Sequence, residues 1–123
     1  MIEKVWYVTI YVEDLQRAVD FYTRTLDIPL RFCSIEEGFA SLGTEGATLS
    51  LSTAGGTAKA NGLVGRETGV ALGVRDIAST YEALRKLGVD FLAPPEAHHW
   101  GTTAVLLDPD RNALTLDELK ERE

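Results

Sequence analysis

One cysteine, two histidines, one methionine and four prolines are all that 123 residues hold of these types, and no long apolar run is present. The lone thiol, Cys33, excludes an internal disulfide and any metal site built on several cysteines. It lies in a strand-like run, Leu30-Arg31-Phe32-Cys33, with no activating neighbour in sequence, and reads as a structural thiol. No stretch is long enough for a membrane span, and no charged segment leads into an apolar run and a small-residue cleavage site. A cytoplasmic protein is expected. Positive charge is also scarce: 12 basic against 19 acidic residues give a net charge of −7, which argues against nucleic-acid and anionic-membrane partners. It favours solubility and is compatible with a cationic ligand.

What is present is a repeat. Val8-Thr9-Ile10-Tyr11-Val12-Glu13-Asp14-Leu15 and Val70-Ala71-Leu72-Gly73-Val74-Arg75-Asp76-Ile77 share one pattern at an offset of 62 residues. Each is an alternating strand, then a Val, a charged residue, an Asp and an aliphatic. An Asp at the point where helical periodicity begins is a helix cap, so two related modules are expected within one domain over 1–123. An apolar fraction of 45% supplies core enough for that without staples.

In module 1 (about residues 1–52), residues 5–12 alternate, with Trp6, Val8, Ile10 and Val12 on the face turned to a core. A helix follows from Leu15 through Ala18, Val19, Tyr22 and Leu26 until Pro29 forbids continuation, then strands at 30–35, 39–42 and 47–52. Residues 53–67, rich in Gly and Ala, read as a linker or a mobile flap. Module 2 (about 68–123) repeats the order: a strand at 69–74 and a helix from Ile77 to a stop at Gly88. A weakly marked strand at 89–92 follows, broken by Pro94-Pro95, and strands at 102–107 and 113–117 complete it. The tail 117–123 reads as a helical end or as disordered. Each half is βαβββ.

These elements resemble the vicinal oxygen chelate superfamily, which includes glyoxalase I, extradiol dioxygenases and bleomycin-resistance proteins. The carriers are Val12-Glu13-Asp14-Leu15 with Phe21-Tyr22, Val74-Arg75-Asp76-Ile77, Trp100-Gly101, and Asp108-Pro109-Asp110-Arg111-Asn112, in which Arg111 replaces the family's usual glycine. The resemblance implies an α+β fold: two tandem βαβββ modules forming a U-shaped, incompletely closed mixed β-sheet with helices outside, and commonly a homodimer. The family's metal enzymes place His, Glu or Gln at four equivalent points. Aligned on the capping aspartates and on the last strands, those points fall here on Tyr7, Ser50, Gly69 and Thr115. A phenol, two alcohols and a glycine are not a donor set for a divalent cation, so no metal and no cofactor is expected, as in bleomycin-resistance-like members.

Alternation alone gives a matching picture. Opposite the aliphatic faces lie Tyr7, Thr9 and Tyr11 on the first strand and Thr48, Ser50 and Ser52 on the fourth. The second half offers Gly69, Ala71 and Gly73, then Ala113, Thr115 and Asp117. That lining suits a planar, hydrogen-bonding small molecule, or else close packing between modules or subunits. Ligand-binding candidates are Tyr7, Thr9, Tyr11, Ser50, Trp100, Thr115 and Asp117, the last as partner of a cationic group. Catalytic candidates are His98 and His99, which point to opposite faces if on a strand. Three functions compete: metal-independent binding of a planar or cationic compound such as an antibiotic; a metal-free lyase, isomerase or cyclase using a histidine base; and a metal-dependent lyase or dioxygenase with relocated ligands such as His98, Glu96 and Asp117.

Overall fold

The computed structural model describes residues 1–43 and 45–120. Two compact units, Met1–Gly65 and Arg66–Glu123, make up the chain. Each has the βαβββ order expected from the repeat, and the fold is α+β.

In the first unit β1 (Val8–Tyr11) leads into α1 (Leu15–Asp20), which runs on as a π-helical turn over Phe21–Thr25. Then come β2 (Leu30–Ser34), β3 (Phe39–Gly43) and β4 (Thr48–Ser52). The sheet order is β1-β4-β3-β2, with β1 parallel to β4 and the other pairs antiparallel. A parallel pair needs a crossover, and α1 is part of it. The Asp14 carboxylate accepts from the amide of Arg17 at 3.1 Å and starts the helix, a cap worth about 1 kcal/mol. Leu15, Ala18, Val19 and Tyr22 recur at helical spacing and are buried, as are Ile10, Ala40, Leu42, Leu49 and Leu51 on the sheet. The amide of Leu26 reaches back to the carbonyl of Phe21 at 3.0 Å, closing the wide turn before Pro29.

The second unit contains β5 (Glu67–Gly73), α2 (Ile77–Lys86), β6 (Phe91–His98), β7 (Gly101–Leu107) and β8 (Ala113–Leu119) in the order β5-β8-β7-β6. Two carboxylates serve the start of α2: Asp76 accepts from the Ser79 amide at 3.2 Å, and Glu118 from the Ile77 amide at 3.0 Å. Both satisfy donors that the helix itself leaves unpaired. Gly88, at φ 89°, takes the left-handed residue just past the helix end. Ile77 and Leu84 are buried, as are Ala104, Leu106, Leu114 and Leu116 on β7 and β8.

The turn from β7 to β8 is organised by Asp108, which is 2% exposed. One carboxylate oxygen accepts from the amides of Asp110 and Asn112, both at 2.9 Å, and the other from Asn112 Nδ2 at 3.0 Å. Asn112 Oδ1 in turn accepts from the amide of Arg66 at 3.1 Å, tying the turn to the approach to β5. Arg111 sits at φ 67°, the left-handed conformation that the usual glycine of this motif adopts without cost. Its guanidinium meets Asp90 at 3.0 Å on the exposed surface.

Several expectations are corrected. The first strand begins at Val8 rather than at residue 5, and Trp6, placed on the core face by alternation, is 68% exposed. Within residues 53–67, successive turns run through Gly62, the amide of Ala58 bonds to the Thr53 carbonyl, and Ala58 is buried. Pro94-Pro95 does not break the chain, because β6 is an edge strand and both prolines fall where its pairing with β7 shifts, between Ala93 and Glu96. The last strand extends to Leu119, so the segment from Asp117 is sheet rather than helical end or disordered tail; residues 121–123 of that tail lie outside the described residues.

Candidate functional site

Each sheet has one face under its helix and one face turned away, and the strand pairings show which side chains meet on the second. In the first unit one row runs Thr9, Ser50, Ser41 and Phe32 across the four strands, and the next runs Tyr11, Ser52, Phe39 and Ser34. Thr9 and Ser50 share a hydrogen bond between hydroxyls at 3.0 Å, and Ser50 has no exposed surface. Ser50 thus supports Thr9 rather than presenting its own hydroxyl. The Tyr7 ring lies 5.8 Å from that of Phe39, which lies 6.3 Å from Phe32, all tilted as aromatic rings prefer. This face is a wall of rings over a floor of alcohols.

The matching rows of the second unit are Ala71, Thr115, Val105 and Ala93, then Gly73, Asp117, Thr103 and Glu96. Here the Thr103 hydroxyl donates to Asp117 Oδ1 at 2.5 Å, a charge-assisted bond that fixes the carboxylate. Asp117 and Thr115 are half-buried; Gly69, Ala71 and Gly73 on β5 are exposed. At the strand end His98 pairs with Gly101, on the same side as Thr103, and its ring stacks on Trp100 at 5.1 Å and 5°. His99 lies in the turn beyond.

The structure therefore gathers Tyr7, Thr9, Tyr11 and Ser50 on one face, and Thr115, Asp117, His98 and Trp100 on or beside another. Sequence reasoning missed Phe32, Phe39, Ser41 and Thr103, and named Glu96 only as a relocated metal ligand. Alternation could have placed each on its own strand, but only the register of β2, β3, β6 and β7 brings them beside the named residues.

The model of the Glyoxalase/Bleomycin resistance protein/Dioxygenase superfamily matches residues 4–116. The chain belongs to this superfamily. A member from Sphaerobacter thermophilus of known structure is 31% identical over 95% of this chain and 98% of its own, with a TM-score of 0.77. The uncharacterized protein YetH of Bacillus subtilis is 28% identical over 96% of this chain and its own full length. TnmS3, an antibiotic binding protein from a Streptomyces species, shares the fold at a TM-score of 0.72 and 23% identity, over 97% of this chain and 98% of its own.

Superfamily membership raises the question of a metal. Ser50 and Thr115 sit level with Thr9 and Ala71, equivalent positions of the repeat, and the points that the resemblance assigns to ligands are Tyr7, Ser50, Gly69 and Thr115. Those residues do not fit a divalent ion: a buried alcohol already bonded to Thr9, a second alcohol, a phenol and a glycine offer no imidazole or carboxylate. Among the described residues, no group of three or more His, Cys, Asp or Glu side chains is placed to hold one elsewhere. Among the described residues, no helix is long and apolar enough to cross a membrane.

Proposed function

We propose that the chain is a metal-independent small-molecule-binding protein whose ligand is planar or cationic, an antibiotic being the kind of compound meant. The observation that carries this reading is the face of the first unit, where Tyr7, Phe39 and Phe32 stand beside the Thr9 and Ser41 alcohols. Rings and alcohols recognise flat, hydrogen-bonding molecules, and binding alone needs no acid–base pair. A net charge of −7 supports a cationic rather than an anionic ligand and no nucleic acid. That a protein of this fold is named an antibiotic binding protein agrees with the reading. The same reading makes the protein a homodimer in the cytoplasm, the first part of which light scattering checks. Calorimetric titration with a panel of planar aromatic cations, with and without EDTA, tests the function. Saturable heat unchanged by the chelator is expected; no heat from any compound, or binding lost with EDTA, overturns it.

A second reading, a metal-free lyase, isomerase or cyclase, draws on the placement of His98 on the same side of the sheet as Thr103 and Asp117. It assigns the base to His98 and gives His99 no part. Turnover of a discovered substrate surviving His98→Ala would eliminate it.

A further inference from the structure

We infer that Asn61 is a site of spontaneous covalent modification, where the amide of Gly62 displaces the side-chain amide and leaves aspartate or isoaspartate. The inference is independent of the ligand reading. The chain has two asparagines, and the fold treats them in opposite ways. Asn112 is 1% exposed and followed by Ala113; its Nδ2 donates to Asp108 at 3.0 Å, and its Oδ1 accepts from the Arg66 amide at 3.1 Å. Its side chain cannot swing toward the next backbone nitrogen without breaking both bonds. Asn61 is exposed in the turns after β4, and its side chain makes no hydrogen bond among the described residues. Gly62 follows at φ 69°, and apart from its chain neighbours no heavy atom lies within 4 Å of where its Cβ would stand. Nothing crowds the approach to its nitrogen. One bond opposes the reaction: the Gly62 amide donates to the Lys59 carbonyl at 3.1 Å. That bond lies in an exposed turn, the class of contact that opens locally at little cost.

The chemistry needs only hydroxide and water. Hydroxide takes the Gly62 amide proton, and the nitrogen attacks Asn61 Cγ. The bond from Cγ to Nδ2 breaks, Nδ2 takes a proton from water, and ammonia leaves behind a succinimide. Water opens that ring at either carbonyl, giving aspartate or isoaspartate. Either product adds one negative charge to the net −7, two residues from Lys59, whose ammonium lies 3.3 Å from Glu13. Only isoaspartate also lengthens the main chain between Asn61 and Gly62. The amides of Asn61, Gly62 and Leu63 bond to the carbonyls of Thr57, Lys59 and Ala58, so the added methylene falls inside a bonded turn.

The test incubates the folded chain at mildly alkaline pH and follows it by ion exchange and peptide mass spectrometry. Acidic species carrying aspartate and isoaspartate at position 61 are expected to accumulate at a rate proportional to hydroxide, with Asn112 unchanged. Asn61→Gln, whose longer side chain closes a less favourable ring, and Gly62→Ala, whose methyl hinders the attack, should each lose roughly tenfold or more of that rate. Alanine is strained at φ 69°, so the Gln variant decides the matter if Gly62→Ala melts early. The isoaspartyl fraction should melt below Asn61→Asp, which carries the same charge on an unlengthened backbone. Three results overturn the inference: Asn61 intact in the folded chain while the urea-unfolded chain converts, conversion of Asn112 as fast as that of Asn61, or acidic species undiminished by Asn61→Gln. Equal melting of the isoaspartyl fraction and Asn61→Asp overturns the effect on the turn.

Discussion

The two units are copies in topology and opposites in how they are furnished. On the first, Ile10 of β1 and Val12 just beyond it are buried on one side, although Val8 is exposed, and half-buried Thr9 and Tyr11 occupy the other. On the second, Val70 and Leu72 of β5 are only half-buried, and the other side carries Gly69, Ala71 and Gly73, all exposed. What β5 lacks in packing, the second unit makes up with polar fastenings: a second carboxylate at the start of α2 and the Asp108 turn that holds Arg66. The repeat thus keeps its topology while its two halves differ in side chains.

The largest test of this contrast is Asp108→Ala. Three donors lose a buried acceptor at once, so a loss of roughly 2–4 kcal/mol is expected in urea unfolding. The corresponding stretch of the first unit, residues 43–47, has neither Asp nor Asn, so no single substitution there should match it. Next come the caps. Asp14→Ala should cost about 1 kcal/mol, whereas Asp76→Ala should cost about half as much, because Glu118 continues to serve α2. Adding Glu118→Ala to Asp76→Ala should expose the remainder; equal costs for the two aspartates would show that the second carboxylate contributes nothing. The smallest effect belongs to Arg111→Gly. It trades left-handed strain for the exposed pair with Asp90 and should leave stability within about 1 kcal/mol, on the stabilising side, by thermal melting.

The contrast was partly legible in the residues. The offset between Val8 and Val70 gave the duplicated topology, and Asp14 and Asp76 gave the helix starts, because capping is a local act. Alternation separated Ile10, Leu49, Leu114 and Leu116 from Thr9, Ser50, Thr115 and Asp117, since a strand has only two sides. It failed at Trp6, where the alternating pattern runs past the end of the pairing. Edge status decided whether Pro94-Pro95 was a break, and that depends on strand order, which no local pattern encodes. The bond from Thr103 to Asp117 and the Tyr7–Phe39 contact were hidden for a related reason: each joins residues of different strands whose register is set by the whole sheet.

The prolines of β6 have a consequence for colloidal behaviour. An open four-stranded sheet ends in a strand whose outer amides can recruit another chain, the first step toward fibrils. Pro94 and Pro95 deprive β6, one edge strand of the second unit, of amide donors, and a register shift between Leu30 and Phe32 interrupts β2, one edge strand of the first. These two edges are thereby poor templates for a further strand.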